Sequence, residues 1–337
     1  MGCPFNCSFC ASPWLRKGLY GGKGQPRRYR SVSHLLAEVK QAREIHPGIE
    51  VVQFWDEVFG IRPPAGWLDE FCDRFPREVG LPFGIWSHPA VAKEETVGKL
   101  RSAGLSSVVL GVESGDPQVR KEVFNRRESD AVVLRAARAF QGQGVALALD
   151  FIMHLPWLTE ENCRGTFNLI MQLSQPFDIA LHSLSFLPGA EITRRALAEK
   201  KIRPQQVSRA DQPLPERFEA IHWKDSLIAG DRSSTYWHSL IYLAAMPFVP
   251  RSLVWRLRRL ERLLKLCPRP LAVAAEAART KKVTGRLKLW PALALVYPGL
   301  AGFFARHPSL GWFVNRAARA LGRLLWRLAR LDRARPQ

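Results

Sequence analysis

The sequence is short of cysteine, and the little it has is unevenly placed. Six cysteines in 337 residues are too few to staple a small secreted domain. No charged leader with an apolar core opens the chain, so nothing reads as a secretory signal, and a reducing, cytoplasmic setting is the expectation. Long hydrophobic runs are lacking too. The most apolar uncharged one, Leu289 to Ala305, has 17 residues and is broken by Pro291, Pro298, Gly299 and Gly302. It falls short of the ~20 residues that a membrane-spanning helix needs. Acid is scarce at one end only. The 87 residues from Arg251 hold 20 Lys and Arg against 3 Asp and Glu, whereas the first 250 hold 30 against 27. A nearly neutral globular part therefore precedes a strongly cationic one, which a polyanionic surface would attract.

What is present is an alternation of short apolar runs with helical patterns. Strands are expected over Glu50–Phe54, Phe83–Trp86, Ser107–Val112, Val145–Ile152 and Ile179–Leu187. Helices are expected from an N-cap at Ser33, over Lys93–Ala103 and Asp130–Gln141, and from Thr159. Strands spaced by helices of this length predict βαβ units and a parallel sheet, with any chemistry on the loops after the strands' C-terminal ends. The predicted organisation is an α/β core over residues 1–202, then a linker or irregular excursion over 203–235 rich in Pro, Gln, Asp and Ser. A basic, all-helical region follows over 236–337.

The chain opens Gly-Cys-Pro-Phe-Asn-Cys-Ser-Phe-Cys, placing Cys3, Cys7 and Cys10 in a CxxxCxxC spacing. Three thiolates this close can fold onto one metal centre. A structural zinc knuckle requires a fourth Cys or His nearby, and the next candidate is His34. A cubane iron–sulfur cluster accepts three cysteines and leaves one iron for an outside ligand. Cys72, Cys163 and Cys267 have no partners at ligand spacing and read as lone thiols.

This opening, with an aromatic before the third cysteine, resembles the signature of the radical S-adenosylmethionine superfamily. Further segments agree: Phe54-Trp-Asp-Glu-Val-Phe59, Leu110-Gly-Val-Glu-Ser-Gly115, the run Asp150 to Asn162, and Phe186-Leu-Pro-Gly189. Their order is most similar to the radical core of cobalamin-binding members of the superfamily. The resemblance covers about residues 1 to 200. It implies a partial (β/α)6 TIM-like barrel, a 4Fe-4S cluster on Cys3, Cys7 and Cys10, and S-adenosylmethionine bound at the open iron. Reductive cleavage of that molecule would generate a 5′-deoxyadenosyl radical for methylation, cyclisation or rearrangement of a substrate. By the same resemblance Phe9 packs near the adenine, and Asp56 or Glu57 meets the methionine ammonium. Glu113 with Ser114 meets the ribose or carboxylate. An electron donor such as flavodoxin or ferredoxin is implied, and no catalytic side chain is assigned. Taken singly, Asp56 and Glu57 read as a solvated loop pair and Glu113 as a helix-start carboxylate; in register with the cysteines, at strand ends, the functional reading prevails.

The departures also carry expectations. Members of that subgroup have a cobalamin-binding domain and a first barrel strand ahead of the cysteines, whereas Met1 stands two residues before Cys3. The barrel's first strand is therefore expected to be missing from this sequence, and cobalamin would have to come with an N-terminal domain or a separate protein. His154 and Trp157 stand where the family usually has Gly; they read as lining a substrate pocket or as packing.

At the other end, arginines at 316, 319, 323, 327 and 330 face Leu321, Leu324, Leu325, Trp326, Leu328 and Leu331. That is an amphipathic basic helix. Val254, Leu257, Leu260, Leu263 and Leu264 make a similar stripe beside Arg258, Arg262 and Lys265. These stripes read either as a helical subdomain with a solvated basic face or as peripheral docking on the inner face of a membrane near a small-molecule or lipid-like substrate, with RNA binding behind both. The rival to an enzyme is a non-catalytic adaptor that binds membrane or RNA through these helices.

Overall fold

A computed structural model describes residues 2–19, 21, 28–208 and 231–284. The stretch Leu289–Ala305, the arginine-lined helix expected over 316–331 and most of the 203–235 linker lie outside the described residues. The chain divides into two compact units. One takes the described residues of Met1–Leu158 and Gln172–Ala220, the other those of Thr159–Met171 and Ile221–Gln337.

In the first unit five parallel strands stand side by side in sequence order: β1 (Val52–Gln53), β2 (Phe83–Ser87), β3 (Leu105–Glu113), β4 (Ala146–His154) and β5 (Asp178–Ser183). Strand alternation sorts the side chains. On β3, Leu105, Val108, Leu110 and Val112 are buried, and on β4 Leu147, Leu149 and Phe151 continue the same face. Against that face pack α3 (Glu94–Ser102) and α5 (Asp130–Gly142), which buries Val133, Ala136, Ala137 and Phe140. The opposite face carries Gln53, Gly84, Trp86, Ser107, Val109, Gly111, Ala148, Asp150, Ala180 and His182, placed together by the strand register. Small and polar residues there leave room that a packed core would fill. The architecture is an α/β half-barrel followed by helices, the fold class that the sequence predicts.

Local chemistry moves some boundaries. The first long helix, α1 (Val32–Ile45), is capped by Ser31, whose Oγ accepts from the His34 N–H at 3.2 Å, and not by Ser33. Ser33 instead accepts from Arg74 at 2.7 Å. Strand β5 ends at Ser183 where the apolar pattern runs on to Leu187, because a turn at Ser185–Leu187 takes over its hydrogen bonding. Helices α2 (Trp67–Glu78), α4 (Pro117–Glu122) and α7 (Glu191–Ala198) are not signalled by the sequence pattern. Thr159 caps α6 (Glu160–Ile170) as expected, in a reciprocal box with Asn162.

In the second unit α8 (Arg232–Ala245) is buried from Thr235 to Ala245. Helices α6, α9 (Arg251–Arg259), α10 (Glu261–Leu266) and α11 (Arg269–Thr284) pack around it. Among the described residues no helix is long and apolar enough to cross a membrane.

Candidate functional site

The cysteine loop is held from three directions. Ser8 donates its backbone N–H to the Phe124 carbonyl at 3.1 Å and its hydroxyl to Val123. The Asn125 amide donates to the Asn6 carbonyl at 2.8 Å. At the start of α7, the Ile192 N–H donates to the Ser8 carbonyl at 3.0 Å. Arg16 reaches back to the Cys3 carbonyl and the Asn6 side chain, and the Gly2 N–H donates to Glu57 Oε2 at 3.1 Å. The loop is thereby tied to segments that follow β1, β3 and β5, the C-terminal ends of the strands. Trp14 lies over Gly189, where an added Cβ would stand 2.5 Å from its ring, so the turn after Phe186 closes on the helical segment behind the cysteines only because it carries glycine.

Cys3, Cys7 and Cys10 are half-buried and unbridged. Burial pushes the Cys7 thiol up to about 12, with Arg126 opposing and Glu113, Cys10 and Cys3 adding to the rise. Cys3 is also raised, first by burial, and it senses Cys10. Among the described residues no three His, Cys, Asp or Glu side chains converge on a single-ion centre. Three unbridged thiols on one pinned loop, near enough to sense one another, are a donor set that suits an iron–sulfur cluster, in which each thiolate binds a different iron.

Beside the loop sits a buried charge network that the sequence reading did not find. Arg126, with its side chain 4% exposed, donates to Glu113 Oε1 and to the Gly111 carbonyl, both at 2.8 Å, and lies 3.3 Å from Glu128 Oε2. Glu128 Oε1 is 3.2 Å from His88 Nε2. His88 Nδ1 accepts from the Ala90 N–H, which leaves the proton on Nε2, facing that carboxylate. Burial, with Arg126 next, pushes the His88 pKa down to about 2, so its ring is neutral. Phe5 from the cysteine loop stacks on it with centroids 3.9 Å apart. The available signal was the charge-dense run Asn125-Arg126-Arg127-Glu128 just before a helix, which has no periodicity to draw attention.

Glu113 is not a helix-start carboxylate; Asp116 caps α4. Glu113 ends β3 at φ 68°, beyond a register shift, a conformation that a non-glycine residue adopts at a cost. Gly111 leaves room for its carboxylate, since a Cβ there would stand 2.7 Å from Glu113 Oε1. Burial pushes the Glu113 carboxyl up to about 7, against the pull of Arg126 and with Asp150 adding to the rise. Across the same face His182 Nε2 lies 3.5 Å from Asp150 Oδ2. Despite burial, that carboxylate and Glu113 raise the His182 pKa.

Of the other residues singled out, Ser114 is fully buried, and its hydroxyl accepts from the Asp116 N–H at 3.1 Å. Phe9 meets Phe124 edge-on at 5.3 Å and joins a cluster with Val119, Ile152 and Ile192. Asp56 and Glu57 occupy the turn after β1, between Phe54, bonded to the Gly84 carbonyl, and Phe59, bonded to that of Trp86. A groove of about 910 Å³ along β1 reaches both carboxylates. Trp157 packs: its Nε1 donates to Glu199 at 2.6 Å and Arg195 lies 4.9 Å from its ring centroid. His154 is exposed, with Nδ1 3.4 Å from the Ser183 hydroxyl.

Comparison with known proteins gives this geometry a context. Hopanoid C-2 methylase of Rhodopseudomonas palustris (strain TIE-1) is 25% identical over 233 residues, 67% of this chain and 42% of that protein. Oxygen-independent coproporphyrinogen III oxidase of Paracoccus denitrificans (strain Pd 1222) is 28% identical over 161 residues, 46% of this chain and 35% of that one. The chain thus spans less than half the length of these curated relatives. The structure of apo OxsB, a cobalamin-dependent S-adenosylmethionine radical enzyme, shares the fold with a TM-score of 0.51 at 13% identity, covering 91% of this chain and 49% of that one. Residues 1–170, which include the cysteine loop and four of the five strands, match the Radical SAM superfamily. The chain belongs to the radical SAM superfamily of enzymes.

Proposed function

We propose that this chain is the catalytic core of an enzyme that holds a 4Fe-4S cluster on Cys3, Cys7 and Cys10 and binds S-adenosylmethionine beside it. The observation that carries the reading is the cysteine loop pinned at the C-terminal ends of parallel strands, next to the buried Glu113–Arg126–Glu128 set. When bound and reduced by a one-electron donor such as a flavodoxin or ferredoxin, the cluster supplies reductive cleavage of S-adenosylmethionine and so hydrogen-atom abstraction from a substrate. The chain's own residues bind and orient. Glu57 fixes the loop's first residue through the Gly2 N–H, and Asp56 beside it is the carboxylate available to an ammonium group. Glu113 is turned by its positive φ onto Arg126, presenting a carboxyl at the strand end for hydroxyl or carboxylate groups. Phe9 and Phe124 give an apolar wall. His182 and Asp150 hold a proton on the face where a substrate would lie.

The substrate we infer is lipid-soluble or amphiphilic, modified by methylation, cyclisation or rearrangement; similarity to a protein named for hopanoid methylation supports the first of these. Cobalamin enters only if a further domain or a separate protein supplies it. Anaerobic reconstitution with iron and sulfide should load about one four-iron cluster per chain, and Cys3→Ala, Cys7→Ala and Cys10→Ala should each abolish it. The reduced, loaded protein should form 5′-deoxyadenosine from S-adenosylmethionine. Stoichiometric zinc in place of iron, or an iron-loaded protein that forms no 5′-deoxyadenosine, would sink the enzyme reading in favour of an adaptor.

A further inference from the structure

The second unit turns the expected polarity of its basic helices inside out. On α9 and α10 the cations at Arg258 and Lys265 face inward, with side chains only 19% and 18% exposed. They lie 4.9 and 5.4 Å from the ring centroid of Trp237, and Arg164 of α6 lies 5.8 Å from it. Glu261 pairs with both, and Glu160 pairs with Lys265. Three leucines go the other way: Leu260 is 48% exposed, Leu263 63% and Leu266 67%. With Trp255, 44% exposed although its ring meets Phe167 edge-on at 5.3 Å, they are the exposed large apolar residues described in this unit. All fall within twelve positions. Arg256, Arg259, Arg262 and Arg269 are exposed among them. The only acid between positions 251 and 270 is Glu261, whose side chain is 13% exposed and turned to Arg258 and Lys265.

A water-facing surface has no reason to show this composition. Trp and Leu heads interleaved with arginines, free of outward acid, match the boundary between anionic headgroups and acyl chains. We propose that the outer face of α9 and α10 docks on an anionic lipid bilayer, with Leu260, Leu263 and Leu266 entering the headgroup region and the arginines meeting phosphate. Charge argues against residues 306–337 as the cover, since their 8 arginines against one Asp would bring like charge to an arginine-studded face. The inference does not depend on the radical chemistry proposed above.

The test uses the full chain and sedimentation with two kinds of vesicle, pure phosphatidylcholine and an equal mixture of phosphatidylcholine with phosphatidylglycerol. Wild type should sediment with the anionic vesicles and not with the neutral ones. L263S/L266S should weaken that partition at least tenfold. Two arginines at about 1 kcal/mol each make R259Q/R262Q about thirtyfold weaker, and high salt should erase the difference. All four side chains point outward, and unchanged melting temperatures establish that both variants fold. Wild-type partition in both folded variants would overturn the proposal. So would a wild-type dimer that L263S/L266S converts to monomer, or salt-sensitive RNA binding without vesicle binding.

Discussion

The two units handle buried charge in opposite ways. In the barrel unit one arginine serves two carboxylates: Arg126 is shared by Glu113 and Glu128, with neutral His88 beyond. Negative charge is in excess there, and it is stored where a strand ends and a loop of thiols begins. In the helical unit three cations crowd one aromatic face, and Glu160 and Glu261 balance them. That arrangement stabilises packing and leaves the apolar side chains to face outward. Buried charge in the first unit gathers at the candidate site; in the second it packs on the Trp237 ring beside an apolar core and leaves leucine on the surface.

The comparison breaks most sharply at Arg126. Arg126→Met leaves two buried carboxylates without a cation and should cost about 5 kcal/mol, the upper end for breaking a buried pair. Thermal melting should show the barrel unit lost, and Cys3-to-Cys10 iron loading lost with it. Trp237→Ala in the other unit should cost about 3 kcal/mol, since the cations lose their ring but can re-solvate. Its signature is a lower melting temperature with iron loading retained; equal damage to both properties would erase the distinction between the units.

Two pH tests sharpen the contrast, with opposite signs. The Glu113 carboxyl is raised from the ordinary 4.5 to about 7, so the folded state binds the extra proton in that window. Stability should fall as pH rises from about 4.5 to 7, by on the order of 1 kcal/mol or more. Glu113→Gln, followed by denaturant unfolding of the metal-free protein, should gain on wild type across that range and level off above it. The Glu160 carboxyl is held down at about 2 by Lys265 first, with Glu261 also hydrogen-bonded to it. Its contribution is present above pH 4.5 and lost as pH falls toward 2. The pair is partly exposed, so Glu160→Gln should flatten that acid limb by only about 0.5 kcal/mol. An unchanged acid limb would remove Glu160 from the cation balance.

Much of the barrel unit was legible because its strands are short apolar runs between helical patterns, with a period of two in Val108, Leu110 and Val112. The thiols were legible because their spacing is itself the chemistry. Helix α2 was hidden by Pro76 within it and by phenylalanines that suit strands as well as helices. The charge network was hidden because Arg126 and Glu128, on the loop before α5, meet His88 after β2 and Glu113 at the end of β3 only when those strands are side by side. The stripe at Val254, Leu257, Leu260, Leu263 and Leu264 was visible, but its direction was not. The structure buries Val254, turns Leu260 and Leu263 outward and takes Arg258 and Lys265 inside.

By itself the sequence determined the parallel α/β order, the three-thiol loop and the separation of a nearly neutral 250-residue part from a cationic one of 87. These follow from local periodicity, residue spacing and net charge, none of which needs a partner in space. Tertiary structure alone decided that Glu113 turns back onto Arg126, that Gly111 makes room for it, and that α6 packs with α8 in the helical unit although it follows β4 in the chain. It alone decided which face of α9 and α10 looks outward. A helix with leucine and arginine on both faces carries no inside or outside until another surface, here the ring of Trp237, chooses one.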